Sequence, residues 1–374
     1  MGIDLKDKTL GELEHIVLDL GGKKYLGAYI FQFIHIEGAA DISQITPLSK
    51  AFREQLSAQG YYISRLTVAD KLIDEDAAAT SCRTKHALES RAEPAPSPSR
   101  GCPRHRTAKY LFELSDGHRI ETVLLIDGKR RTLCVSTQVG CTMDCRFCAT
   151  AEIGFERNLT AAEIVDQVNA VARNTGRISN VVYMGMGEPL ANYDAVVKSL
   201  RILNHPDGKN IGIRHITVST CGIVPAIRKL ACEDVRPRLA VSLNAPTDEI
   251  RTRLMPINAK YPIVELMKAM HFYQERTRQR VTFEYVMIKG LNDSTAQAKL
   301  LVKVLKGLTC NVNLIEHNPY PRSKHAGSGG ERIHRFASVL EDNGIETAVR
   351  FKMGRGIRAA CGQLGADLLD GGRD

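Results

Sequence analysis

Apolar residues recur every three or four positions along the first seventy residues, and the texture of the chain then changes twice. "LGELEHIVLDL" and "KYLGAYIFQFIH" each carry a one-sided apolar stripe, and Gly21-Gly22 separates them, so two helices joined by a turn are predicted. "PLSKAFREQLSAQG" reads as a third helix, with Ser49 as its cap. Residues 1–72 are therefore expected to form a small helical domain, either a plain bundle or an accessory unit that presents basic side chains to RNA. Residues 73–109 carry Pro94, Pro96, Pro98 and Pro103 and almost no large apolar side chain. Such a segment cannot bury a core and is expected to be a linker or insertion, with a basic end at Arg100, Arg104, His105, Arg106 and Lys109.

From Tyr110 onward the pattern is that of a folded α/β domain, spanning residues 110–374. "YLFELSDGHRIETVLLID" alternates about Asp116-Gly117 as a hairpin does. Strands are predicted at "NVVYMG", "HITVST", "RLAVSL", "VTFEYVM", "CNVNLI" and "ETAVRF". Helical stretches such as "TAAEIVDQVNAVARN" and "PIVELMKAMHFYQERT" lie between them, and Thr160 stands three residues before Glu163 as in a capping box. This alternation predicts a parallel sheet with helices outside, spaced as in a full or partial βα barrel of (βα)6 type. In such barrels chemistry gathers at the C-terminal strand ends.

Composition changes this picture little, since 43% hydrophobic and 25% charged residues are ordinary for a soluble globular protein. No run approaches the length of a membrane span, "MGIDLKDKTL" lacks a signal-peptide core, and Lys6 stands where a myristoylation signal has Ser or Thr. A cytoplasmic protein is expected, and a monomer, because no heptad or dimer face is visible. The net charge of +9 favours a polyanionic partner, although many basic proteins bind none. Ten cysteines, three of them clustered, suit metal binding or catalysis better than a disulfide framework.

The cluster is "CTMDCRFC", with Cys141, Cys145 and Cys148 on one short loop. A structural zinc site takes four ligands, whereas three soft thiolates suit a 4Fe–4S cluster with one iron left open for an exchangeable ligand. On spacing alone a zinc site completed from elsewhere stays open, as in a non-catalytic RNA-binding protein, and so do three unrelated buried cysteines. With Phe147 before the last cysteine, the motif resembles that of the radical S-adenosylmethionine (SAM) superfamily. The resemblance implies that the open iron holds the amino and carboxyl groups of SAM, and that electron transfer splits the sulfonium to give a 5′-deoxyadenosyl radical. "YMGMGEP" after a predicted strand resembles the superfamily's SAM-binding glycine–glutamate segment, implying roles for Gly187 and Glu188.

"TLCVSTQVGCTMDCRFCAT", "GFERNLTAAEIVDQV", "MGMGEPLANY", "RLAVSLNAP", "RLMPINAKYPI", "VTFEYVMIKGLND", "VNLIEHNP" and "AACGQL" occur in an order similar to that of the RlmN/Cfr class of RNA adenine methyltransferases. This resemblance covers about Tyr110 to Leu364, and the N-terminal helices also look like that family's accessory domain. It implies methylation of carbon 2 of an adenine in 23S rRNA, with tRNA beside the anticodon as a further candidate substrate. One SAM would methylate Cys361, and a second, on the cluster, would yield the radical that removes hydrogen from the S-methyl group. Addition to adenine would give a protein–RNA thioether, which Cys134 would help to resolve, leaving a disulfide with Cys361. From the residues alone Cys361 is merely a small buried thiol near the C-terminus.

The resemblance further implies Glu121 as proton acceptor, although a glutamate on an apolar strand also reads as an edge or solvent-facing residue. It assigns Ser219, Ser242, Leu243, Asn244 and Asn318 to the SAM pocket; as Ser and Asn favour turns anyway, strand-end turn chemistry explains them equally. It implies a flavodoxin-like or other one-electron donor. Phosphate contacts are expected from Lys129-Arg130-Arg131 and from Arg350, Lys352 and Arg355. The chain departs from the family at Asn244, where histidine is usual, and in "GRGIRAACGQL", where Arg355 and Arg358 replace acidic residues. The Cfr-type reaction at carbon 8 is the nearest competitor, since regiochemistry depends on adenine pose. Another radical SAM class, such as a glycyl-radical activase, would have no need of Cys134 and Cys361.

Overall fold

The strand–helix alternation is realised as one ten-stranded sheet in the computed structural model, which describes residues 2–74, 106–350 and 354–370. Cys82, Cys102, Arg100, Arg104, His105 and Lys352 lie outside the described residues. The N-terminal part holds β1 (Ile3–Asp4), α1 (Leu10–Asp19), α2 (Leu26–Gln32), α3 (Lys50–Ala58) and β2 (Tyr61–Tyr62), with β1 and β2 paired in parallel. The large sheet starts with β3 (Thr67–Asp74), β4 (Arg106–Glu113), β5 (Arg119–Asp127) and β6 (Arg130–Cys134), each antiparallel to the next. A separate pair, β7 (Gln138–Gly140) and β8 (Phe155–Asn158), brackets the cysteine loop and α4 (Ala149–Ile153).

The alternating portion follows as α5 (Ala161–Thr175), β9 (Asn180–Tyr183), α6 (Tyr193–Asn204), β10 (Ile216–Thr220), α7 (Val224–Ala231), β11 (Arg238–Ser242), α8 (Asp248–Leu254) and α9 (Ile263–Thr277). It continues through β12 (Val281–Met287), α10 (Thr295–Val304), β13 (Cys310–Glu316), α11 (Gly330–Glu341) and β14 (Glu346–Val349), and α12 (Ala366–Asp370) ends the described chain. The sheet runs β14-β13-β12-β11-β10-β9-β6-β5-β4-β3, and every neighbouring pair from β6 to β14 is parallel. Strands β3 and β14 stand at opposite edges, so the barrel is partial.

Strands β9 to β13 are present because their inward residues vanish into the core, whereas the edge strand β14 stays largely exposed. Val281, Phe283, Tyr285 and Met287 of β12 are fully buried, an every-second-residue pattern with both sheet faces covered. The capping box of α5 forms as expected: Thr160 accepts from the Glu163 amide at 3.1 Å, and the Glu163 carboxylate accepts from the Thr160 amide at 2.9 Å. No helix among the described residues is long and apolar enough to cross a membrane.

Two boundaries differ from the expectation. Strand β3 pairs with β4 from Thr67↔Glu113 to Asp74↔Thr107, so the sheet runs across both ends of the expected 73–109 linker and takes in the last residues of the expected 1–72 domain. Nearly every residue of β3 is exposed, which leaves no apolar alternation by which the strand could be read. The N-terminal helices dock on α5 through a buried ion pair, with Lys6 Nζ 2.8 Å from Asp166 and the Leu66 amide donating to the same carboxylate at 2.7 Å.

Among the N-terminal helices His35 is fully buried against Phe31, and neither ring nitrogen has a hydrogen-bond partner among the described residues. Burial first, then the charges of Lys6, Lys209 and His205, lower its pKa from 6.5 to about 3. Between those values the unfolded chain binds a proton that the folded chain does not, so stability falls as pH drops from 6.5 toward 3, by up to about 1.4 kcal/mol per pH unit. His35→Leu is expected to flatten this acid limb in urea unfolding measured across that range; an unchanged slope would show that His35 is not the titrating group.

Candidate active site

The cysteine loop is clamped at both ends. The Cys141 amide donates to the Gly154 carbonyl at 2.8 Å, and Gly140, at φ +75°, lies so close that a Cβ there would fall 1.7 Å from that oxygen. The Arg146 amide donates to the Leu254 carbonyl at 3.0 Å, tying the middle of the loop to the end of α8. Cys141, Cys145 and Cys148 are free thiols. Burial pushes all three up, Cys141 to about 12, and neighbouring thiols of the set add to the shift in Cys141 and Cys145. Among the described residues no three His, Cys, Asp or Glu side chains converge as ligands of a single metal ion. A cubane is several ångströms across, and its thiolates surround it rather than meeting at a point.

Beside this loop lies the glycine-rich turn after β9. Gly187 adopts φ +96°, and a side chain there would collide with Gln138, whose Oε1 accepts from the Glu188 amide at 2.9 Å. The close backbone approach that Gly187 makes is thus to the strand leading into the cysteine loop. Glu188 is 4% exposed and accepts from the Cys221 amide at 2.8 Å and the Leu190 amide at 3.0 Å. Burial pushes its carboxyl up against the pull of those amides.

The other expected pocket residues stand at C-terminal strand ends. Ser219 is half-buried in β10, Ser242 closes β11, and Leu243 is fully buried just beyond it. Asn244 sits at φ +59°, a conformation asparagine tolerates. Its Oδ1 accepts from the Val286 amide at 2.8 Å and its Nδ2 donates to the Met255 sulfur at 3.1 Å, so the side chain ties β11 to β12. Beneath them Arg251 is fully buried and donates to the carbonyls of Leu243 (3.1 Å) and Cys221 (2.6 Å) and to Asn258 Oδ1 (2.8 Å). Its charge draws the Cys145 thiol down against the dominant upward push of burial.

The C-terminal segment crosses to the same strand ends. The amide of Ala149, next after Cys148, donates to the carbonyl of Gly362, next after Cys361, at 2.8 Å. Thr150 Oγ1 donates to the Leu364 carbonyl at 2.7 Å, and Asn318 Nδ2 donates to the Cys361 carbonyl at 3.1 Å. Cys361 is exposed, and its thiol is raised by desolvation and by Glu284. Cys134, at the end of β6, is buried; burial, with Cys361 adding to it, pushes its thiol far up. Both are free thiols in this structure.

Glu121 is 1% exposed on β5, so the edge or solvent-facing alternative does not apply. One carboxylate oxygen is 3.0 Å from Lys109 Nζ, and the other accepts from the Gly365 amide at 2.7 Å. Burial pushes its carboxyl up, against the pull of Lys109. Lys109 also meets Asp367, which accepts from Arg358 Nη1 at 2.8 Å. Arg355 donates to Asn318 Oδ1 at 2.7 Å. The two arginines that depart from the family pattern thus both take part in the segment's own anchorage.

Sequence reasoning missed Lys109, which falls in the expected linker, and Arg251, which in "DEIRTRL" reads as part of a solvated helix face. The Cys221 thiol packs with Phe147, Leu254 and Met255 against Cys145 and Cys148. Lys109→Met removes the cation from two carboxylates, one of them buried, at a cost of about 3–5 kcal/mol. We expect a lower urea midpoint together with faster hydrogen exchange at the Gly365 amide; unchanged exchange there would show that the segment is held without the ion pair.

This arrangement agrees with comparisons to known proteins. Residues 135–300 match the family model for the Radical SAM superfamily, and residues 3–61 match the ribosomal RNA large subunit methyltransferase N-terminal domain. A probable dual-specificity RNA methyltransferase RlmN from Thermoanaerobacter sp. is 42% identical over 361 residues, covering 96% of this chain and 97% of the relative. A dual-specificity RNA methyltransferase RlmN from Syntrophobacter fumaroxidans is 42% identical over 366 residues, covering 97% and 98%. The crystal structure of a radical SAM methyltransferase from Sphaerobacter thermophilus superposes with a TM-score of 0.84 at 42% identity, covering 97% of this chain and 99% of that one. With fold, accessory domain and full-length similarity in agreement, the chain belongs to the RlmN family of radical SAM RNA methyltransferases.

Proposed function

We propose that this enzyme methylates carbon 2 of an adenine in 23S rRNA and in tRNA, carrying the methyl group on Cys361. The observation that supports this most strongly is the hydrogen bond from Ala149 to Gly362, which holds the residue after Cys361 against the residue after Cys148. A methyl carrier has to stand beside the group that activates it.

Three soft, mutually coupled thiols with the Arg251 guanidinium nearby are a donor set that fits a 4Fe–4S cluster, because burial disfavours lone thiolates that bound iron would compensate. Cys141, Cys145 and Cys148 would hold it, and the cluster with SAM would supply the one-electron chemistry that breaks a methyl C–H bond. Glu188 and the strand-end residues Ser219, Ser242, Leu243, Asn244 and Asn318 would line the SAM pocket. Asn318 has a second task, since its amide fixes the Cys361 carbonyl. Cys361 must shed a proton before it can accept a methyl group by displacement, because its thiol lies above the ordinary value. Cys134 would attack the Cys361 sulfur of the RNA thioether as its thiolate: the S–S bond forms as the S–C bond to the methylene breaks, the bonding pair passes to that carbon, which takes a proton to complete the methyl group, and a transient disulfide is left. Glu121, buried and raised, would take the proton lost from adenine. A flavodoxin-like or other one-electron donor would supply the electrons.

The test is nucleoside mass spectrometry on unmodified rRNA and tRNA treated anaerobically with reconstituted enzyme, SAM and reductant. We expect 2-methyladenosine; 8-methyladenosine would make this a Cfr-type enzyme instead. Cys361→Ala is expected to keep reductive SAM cleavage within about twofold while RNA methylation falls to background. Equal loss of both activities would contradict the carrier role.

A further inference from the structure

The barrel end remote from Cys361 carries a cavity of about 350 Å³ whose lining includes Arg214, Arg236, Arg238 and Arg280, and no acidic residue. Arg214 stands in the turn before β10, Arg238 opens β11, and Arg280 directly precedes β12, so these side chains ring the N-terminal ends of parallel strands. The cysteines and Glu188 belong to the opposite, C-terminal ends. Strands of five residues rise about 3.3 Å per residue, which sets the two ends roughly 15 Å apart.

Four guanidinium groups around one cavity repel one another unless an anion sits between them. Arg280 is paired with Glu346, and Arg236 donates to the Glu233 carbonyl at 3.0 Å. Among the described residues Arg214 and Arg238 make no ion pair, and both are exposed. Thr282 and Asn311 line the same cavity and bond each other at 3.0 Å, leaving the Asn311 amide nitrogen as a further donor. No aromatic ring lines the cavity, so it has no surface on which a base could stack. Planar donor forks with no base platform match a phosphate group rather than a nucleobase.

We propose that this arginine-lined cavity is a phosphate-binding site, separate from the active site, that takes a backbone phosphate of the RNA or a free phosphate ion. Only the RNA source rests on the function proposed above. An RNA engaging both ends would run along the flank of the barrel, and the distal grip would add affinity without touching the chemistry.

The experiment compares holoenzyme with Arg214→Gln/Arg238→Gln. Inorganic phosphate is titrated calorimetrically, and a fluorescent hairpin from the methylated region of 23S rRNA is bound across a salt series. The expected result is loss of the phosphate heat, about tenfold weaker hairpin binding at ~100 mM salt, and a log–log salt slope shallower by about 1 to 2. Reductive SAM cleavage by the variant should match wild type, which verifies its fold, and Arg214→Lys/Arg238→Lys should keep most of the slope. Loss of phosphate binding with an unchanged hairpin slope assigns the site to free phosphate. No phosphate binding by wild type, together with an unchanged hairpin slope, overturns the site. A hairpin that wild type fails to bind would count against the RNA reading while the phosphate titration still decides the cavity.

Discussion

The active site depends on a short stretch of C-terminal chain being docked against the cysteine loop. The Ala149–Gly362, Thr150–Leu364 and Asn318–Cys361 hydrogen bonds each join positions far apart in sequence. Every one must overcome the entropy of ordering the segment. Neutral hydrogen bonds contribute about 1 kcal/mol each, too little alone to hold a terminal segment in one pose. The charged anchor supplies the rest: Glu121, buried beside Lys109, accepts from the Gly365 amide, and Asp367 joins Lys109 to Arg358. The carboxylate proposed as proton acceptor is thus also a structural clasp.

That sharing has an electrostatic logic. A buried carboxyl is pushed toward its neutral form by desolvation and held toward its charged form by a neighbouring cation. At Glu121 burial pushes the carboxyl up and Lys109 pulls it back, the balance that the proposed acceptor role requires. On the other side of the site Arg251 plays a related part. Its donors are spent on carbonyls at the ends of β10 and β11 and on Asn258, so it organises the floor beneath Cys145 and lends it positive charge. Both cations favour the charged form of a group that burial pushes toward neutrality.

Much of this was legible in the chain, and the exceptions have physical reasons. Strands β9 to β13 announce themselves because they are buried in the sheet and rich in β-branched or aromatic residues. Strand β3 does not, since almost all of it faces solvent. The spacing of Cys141, Cys145 and Cys148 is local and therefore readable. Cys361 reads from its residues alone as a small buried thiol, and only the family resemblance singles it out. The contact between Lys109 and Asp367 spans 258 positions, and no local pattern encodes a pairing of that range. Arg251 misleads for a different reason: its helix neighbours are charged, and it is held by tertiary contacts to the ends of β10 and β11 and to Asn258 that no local pattern encodes.

The central claim is that Cys134 and Cys361 face each other across the site while the C-terminal segment is docked. The most direct measurement is mild diamide oxidation of the metal-free protein, followed by peptide mapping of the disulfides by mass spectrometry. The account predicts Cys134–Cys361 as the dominant new linkage, and a marked loss of that linkage when Lys109 is replaced by Met. Preferential pairing of Cys361 with a cysteine of the loop, or a Cys361 that stays free while others oxidise, would contradict it.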